Sequence, residues 1–195
     1  MTVLGQVLSS FPLDPPYAKS LLAFDRLAGH QPRYDDMLTL VSVLSAENVW
    51  TPVSKNDVAK TERFEEVRRS LAVAGSDHMG LVRVFDEWGQ NRDDWCFKNF
   101  IQLRALRQAR NIREQLSEHM RGVRWEEIKR FFKRGPSVKE RQSYQERSKL
   151  LRQALGVGFF MNTARRIPHH SKEGTYLTVN EGLQVRVDRS SIISI

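Results

Sequence analysis

The stretch Trp95–Leu116, WCFKNFIQLRALRQARNIREQL, limits what this chain can fold into more than any other segment. Phe97, Phe100, Ile101, Leu106, Ile112 and Leu116 recur at roughly helical spacing, with Arg104, Arg107, Arg110 and Arg113 between them. An apolar face of this kind needs other helices to cover it, and the guanidinium groups are left for solvent, acids or phosphate. Steps of three residues drift about 60° around a helix, so the four arginines do not share one face. In one reading Arg110 and Arg113 pair with acids such as Glu114 or Asp94 and solubilise a bundle. In the other, Arg104 and Arg107 face a polyanion.

The rest of the first 120 residues supplies the covering helices. Pro15 and Pro16 suit a turn and first helical positions, and Gly29 suits the stop. A second helix is predicted in PRYDDMLTLVSVLSA, capped by Asp35 or Asp36, with Met37, Leu40, Val41 and Leu44 on one apolar face. A charged helix follows in NDVAKTERFEEVRRSLA, with Phe64, Val67 and Leu71 inward. Gly75-Ser76-Asp77 starts another, whose stripe is Leu81, Val82, Phe85 and Trp88. Asp93 or Asp94 then caps the arginine-bearing helix. Helices joined by short links predict a bundle, so the fold class is mainly α.

After Met120 the chain turns basic. Ser137 and Glu140 match a capping box, and Leu151, Ala154 and Leu155 give the resulting helix an apolar end. Helical spacing is then lost: Tyr176–Val179 and Leu183–Val187 alternate as strands do, around a turn at Asn180-Glu-Gly182. Alternation puts Gln184 and Arg186 opposite Leu183, Val185 and Val187.

The 31 Lys and Arg against 23 Asp and Glu leave a formal charge of +8, which favours a polyanionic partner: RNA, DNA or an anionic membrane surface. No apolar run is long enough to span a bilayer, and the first residues lack the basic lead and apolar centre of a signal peptide. The single cysteine, Cys96, excludes an internal disulfide and reads as a buried thiol rather than a nucleophile.

Taken together, the segments TVLGQVLSSFPLDPPYAKSLL, DDMLTLVSVLSAENVWTP, GSDHMGLVRVFDEW with DDWCFKNFIQLRALRQARNIREQL, and LRQALGVGFFMNTARR with GTYLTV and LQVRV occur in the order of, and resemble, the C-terminal region of DEAH-box RNA helicases. The chain departs from that family where it has Asp188-Arg189-Ser190-Ser191 for a His-Pro-Ser-Ser-like element and Ser76-Asp77-His78 for Gly-Asp-His. The resemblance implies the end of a winged-helix domain over 1–16, a helical ratchet domain over 17–122, a basic helical connector over 123–150, and the start of an oligonucleotide/oligosaccharide-binding (OB) fold over 151–195. It further implies that the parent is an ATP-dependent enzyme with ATP and Mg in its motor domains. The sequence holds no GxxxxGK[ST] loop and no Asp-Glu-Ala-His element; Asp86-Glu87-Trp88-Gly89 is not one. No cofactor and no ATP turnover are expected of these residues alone.

The partners so implied are single-stranded RNA, the parent's motor domains and an activating protein, in an intracellular, nuclear setting and with no membrane. Arg104, Arg107 and Arg110 are the first candidates to meet RNA. Lys129, Arg130 and Lys133 follow, although Trp125, Ile128, Phe131 and Phe132 beside them have core spacing. Arg165, Arg166 and Arg186, with Tyr176 and Thr178, are candidates for an OB binding face. His78 beside Asp77 reads as a packed His next to a capping Asp. His169-His170 with Lys172 lacks the further ligands a metal needs. The rival from another class is a stand-alone basic adaptor for a protein or ribonucleoprotein.

Overall fold

The structure is a computed structural model that describes residues 1–28, 36–54, 56–73, 76–91, 93–132, 143–167, 175–187 and 191. The described helices are α1 (Val3–Ser9), α2 (Pro15–Leu27), α3 (Asp36–Ser45), α4 (Val58–Leu71), α5 (Asp77–Gln90), α6 (Asp93–Lys98), α7 (Leu103–Arg121), α8 (Trp125–Ile128) and α9 (Tyr144–Gly158). A small antiparallel sheet of β1 (Ala164–Arg166), β2 (Thr175–Thr178) and β3 (Gln184–Arg186), in that order, follows. The mainly α bundle with a partial sheet is thus present, and β1 adds a strand that alternation did not mark.

Local chemistry explains the starts. Pro15 opens α2, where its missing N–H costs nothing. Asp57 Oδ1 accepts the Lys60 N–H at 3.0 Å to cap α4, and Ser76 Oγ accepts that of Met79 at 3.1 Å to cap α5. Ser76 rather than Asp77 is therefore the cap. Helix α9 begins at Tyr144 behind a capping box made by Ser143 and Glu146. The Ser137–Glu140 pair lies outside the described residues, as do Gly29, Asp35, Lys133 and the histidines at 169 and 170. Helix α9 also runs through residue 150, across the boundary expected between connector and strand-bearing part.

The expected single helix over Trp95–Leu116 is two. Helix α6 ends at Lys98, and Asn99 Nδ2 caps its end by donating to the Trp95 carbonyl at 2.8 Å. Phe100 then adopts φ +57°, in the left-handed region that costs a bulky residue about 1–2 kcal/mol. Phe100 and Gln102 spend backbone groups on the extended segment after α3, while the Ile101 N–H donates to the Cys96 carbonyl at 2.8 Å. Thr51 N–H donates to the Phe100 carbonyl, and Gln102 N–H to that of Val49, both at 2.8 Å. The Phe100 ring meets Phe64 edge-on at 5.7 Å. Asp93 and Asp94 therefore sit in the first turn of α6, and Gln102 is the N-cap of the long helix α7. Phe97, expected inward, is 75% exposed.

Two apolar clusters make the core. One joins α1, α2 and α9 to α3, the start of α5 and the end of α7; the other joins the end of α3 to α5, α6 and the start of α7. Helix α3 passes between the neighbours it serves, so Met37, Leu38, Leu40, Val41 and Val43 are all buried, while Leu44, expected inward, is partly open. Helices α2 and α9 pack so closely that a Cβ on Gly158 would overlap the Ser20 hydroxyl and the Pro16 carbonyl. Arg147 ties three helices together: its guanidinium bonds Asp36 of α3 at 3.0 Å and Asp86 of α5 at 3.1 Å, and lies over the Tyr144 ring. Burial pushes the Asp86 carboxyl up, and the two carboxylates hold the Arg147 proton more tightly than usual.

Candidate nucleic-acid interface

Successive 100° steps place Arg104, Arg107, Gln108, Asn111, Gln115 and Glu118 on the outer arc of α7, and all six are exposed. Ala105, Leu106, Ala109 and Leu116 form the opposite, buried face. Arg104 is 84% exposed and reaches Glu47, in the turn after α3, at 3.1 Å. Arg107 is 55% exposed and bonds Asp93 of α6 at 2.5 Å. Arg110 turns back over the Trp88 ring, with its guanidinium carbon 5.1 Å from the centroid. Arg113 is drawn inward, where its Nε donates to Thr39 Oγ1 at 3.0 Å.

Of the two acids expected to hold Arg110 and Arg113, Asp94 pairs elsewhere, and no ion pair among the described residues ends on Glu114. Asp94 pairs with Lys98 at 3.5 Å, and Asp93 with Arg107. The break after α6 folds Asp93 and Asp94 back beside α7 instead of leaving them in line with it. Exposed pairs of this kind are worth about 0.2–1 kcal/mol. A phosphate oxygen is thus an adequate exchange for Glu47 at Arg104. Between α5 and α7 lies a cavity of about 380 Å³ whose walls include Phe85, Trp88, Arg110 and Glu114. Nothing in the sequence spacing revealed it, because it depends on how the two helices pack.

The basic segment after α7 is only partly inward. Ile128 and Phe132 are buried and Trp125 half-buried, as their spacing predicted, whereas Phe131 is 43% exposed beneath the Arg130 guanidinium. Lys129 pairs with Glu126 one turn earlier.

Register divides the strand candidates. Arg166 stands opposite Tyr176, and Tyr176 opposite Val185; Arg165 stands opposite Leu177, and Leu177 opposite Gln184. Neighbours across a sheet share a face and alternate residues do not. Arg165 and Arg186 therefore share one face with Leu177, and Arg166 shares the other with Tyr176 and Thr178. The expected single face holding all five is corrected to two. All of β3 is exposed, Val185 included, as is Leu183 just before it, so alternation there marks no buried side. Ser191, from the Ser-Ser pair, donates to the Asp77 carboxylate.

Cys96 is fully buried, and burial pushes its thiol up to about 11. Among the described residues no group of His, Cys, Asp or Glu could hold a metal, and no helix is long and apolar enough to cross a membrane.

No family model matches the chain. Among curated proteins, 195 aligned residues are 30% identical to the pre-mRNA-splicing factor ATP-dependent RNA helicase prp22 of Schizosaccharomyces pombe. The match covers 99% of this chain and 15% of that protein, so the chain spans about a seventh of its relative's length. The alignment runs through bundle and strands alike, so the chain is similar along its whole length to one part of an RNA helicase, in keeping with the ordered blocks that resemble the C-terminal region of DEAH-box RNA helicases.

Proposed function

We propose that these residues form the C-terminal, helicase-associated part of a DEAH-box RNA helicase and steady single-stranded RNA beneath motor domains encoded outside the 195 residues. The observation that carries this reading is the end-to-end similarity to a protein named as an RNA helicase. The exposed outer arc of α7 supports it, because Arg104 and Arg107 stand there on a rigid helix, held among the described residues by exchangeable surface acids. Contacts of this type go to phosphate and sugar, and so grip a strand without reading its sequence. ATP and Mg belong to the motor domains, an activating protein to the whole assembly, and the setting is the nucleus, as for a splicing factor.

Salt dependence tests it. Two phosphate contacts, from Arg104 and Arg107, give a slope of about −1.4 in log K against log salt for a single strand, Arg110 being turned back over Trp88. Affinity for a labelled oligo(U) then falls about 7-fold between 50 and 200 mM salt. Arg104→Ala lowers the slope by about 0.7. Binding that ignores salt, or a slope unchanged in Arg104→Ala, would overturn the assignment.

A further inference from the structure

The cavity between α5 and α7 has a floor and a rim of different chemistry. Its floor is aromatic: Phe85 and Trp88 meet edge-on at 5.6 Å, and Arg110 covers the Trp88 face with its guanidinium carbon 5.1 Å from the ring centroid. A planar guanidinium seated on an indole presents its outer surface as a second stacking plane. That arrangement favours a flat, neutral guest and disfavours a cation, since a positive charge already occupies the ring face.

The rim carries three acceptor side chains beside Arg113, whose Nε is bound to Thr39 Oγ1. Glu114 lines it as an exposed carboxylate, and no ion pair among the described residues ends on it. Asn91 donates its amide N–H to the Glu87 carbonyl at 2.6 Å, which leaves its side-chain oxygen as an acceptor. Asp93 is held in place by Trp88 Nε1–H at 3.4 Å and by Arg107 at 2.5 Å. The carboxylate of Glu114 is therefore the group that decides which flat guest fits.

We propose that this cavity receives one unpaired guanine of the bound strand; the inference rests on the RNA-holding reading above. Guanine alone among the four bases presents two adjacent donors, N1–H and N2–H, on its Watson–Crick edge. These match the two oxygens of Glu114, and Asn91 on the same lining offers an acceptor for the second N2–H. Adenine and cytosine place a ring-nitrogen lone pair beside their amino group, and uracil flanks its N3–H with two carbonyls. Each of those sets a lone pair against the carboxylate. Splaying a single-strand base onto an arginine plane and reading that edge is a general mode of RNA recognition. The volume of about 380 Å³ holds one base with room for water.

The test compares oligo(U) RNAs carrying one central G, A or C, titrated against the full chain at one moderate salt concentration. The G-bearing strand should bind at least about fivefold tighter than the A- and C-bearing strands. Glu114→Gln should bring that ratio to about one, whatever happens to the affinity for oligo(U) itself. Independently, 5′-GMP should shift the indole N–H resonance of Trp88, assigned with Trp88→Phe, while AMP, CMP and UMP should not. Salt-dependent oligo(U) binding without a preference for G, or a preference that survives Glu114→Gln, overturns the guanine site and leaves the strand-holding reading intact. If no RNA binds at all, that wider reading fails, and the GMP titration alone decides the cavity: no selective shift refutes it.

Discussion

Gly158 is the position where one added carbon is most informative. A Cβ there would run into the Pro16 carbonyl, which is backbone, and into the Ser20 hydroxyl, with Ser20 Cβ at 3.1 Å behind it. Ser20 Oγ already donates to the Pro16 carbonyl at 2.8 Å, so it cannot turn away without giving up that bond. Forcing a methyl into a close-packed contact costs about 1–3 kcal/mol. Losing the hydroxyl's bond adds about 1 kcal/mol. Against this stands the helix preference of Ala over Gly, about 1 kcal/mol in a helix interior and smaller at the last residue of α9. Gly158→Ala should thus lose about 2 kcal/mol, a drop of about 4–8 °C in Tm for a chain of this size. Gly156, two residues earlier in α9, has no heavy atom beyond its chain neighbours and its own helix backbone within 4 Å of where its Cβ would stand. Gly156→Ala should be neutral or stabilise by up to about 1 kcal/mol. Urea unfolding followed by far-UV circular dichroism measures both. A Gly158→Ala protein as stable as the parent, or a Gly156→Ala protein that loses as much, would refute the claim that close approach of α2 and α9 fixes this glycine.

Three further outcomes are expected. Arg147→Met strands Asp36, which is buried, and should cost about 3–5 kcal/mol in urea unfolding, whereas Asp36→Leu combined with Arg147→Met should recover much of that loss. Asp86 has its pKa raised in the fold by burial, so the folded form holds its proton more tightly. Its contribution is fully present below the ordinary aspartate range and fades as pH rises through the shifted value, a trend that Asp86→Asn should remove from a stability–pH profile. Cys96 should resist a thiol reagent at pH 8 until urea unfolds the chain; and because its folded pKa, about 11, exceeds the reference value of 9.0, stability should fall as pH rises from about 9 to 11, a loss absent from Cys96→Ala.

Much of the helical half was legible in the sequence. The spacing of Phe64, Val67 and Leu71, and of Leu81, Val82, Phe85 and Trp88, marks faces that the structure buries or half-buries. Pro15 marks the start of its helix because proline at the first position is a local matter. The turn ending at Gly182 was readable for the same reason, since φ +67° suits glycine. The break at 99–102 was not readable. Apolar spacing continues across it, and the residue that turns left-handed is Phe100, which carries no local signal for doing so. Only pairing with residues 49–51, some 50 positions away, makes the break favourable. The split of the strand arginines was hidden likewise, because β1 is short and its register is set by β2.

The sequence by itself determined that helices form, where most of them start, which faces are apolar, that the surface is cationic, and that a phosphate loop is absent. These follow from backbone preference and side-chain periodicity, which act over a few residues. Tertiary structure decided which arginines stay outward on α7, which acid each one meets, and that Trp88, Arg110 and Glu114 border one cavity. Those outcomes depend on distances between elements far apart in the chain, and interhelical packing rather than local propensity sets such distances.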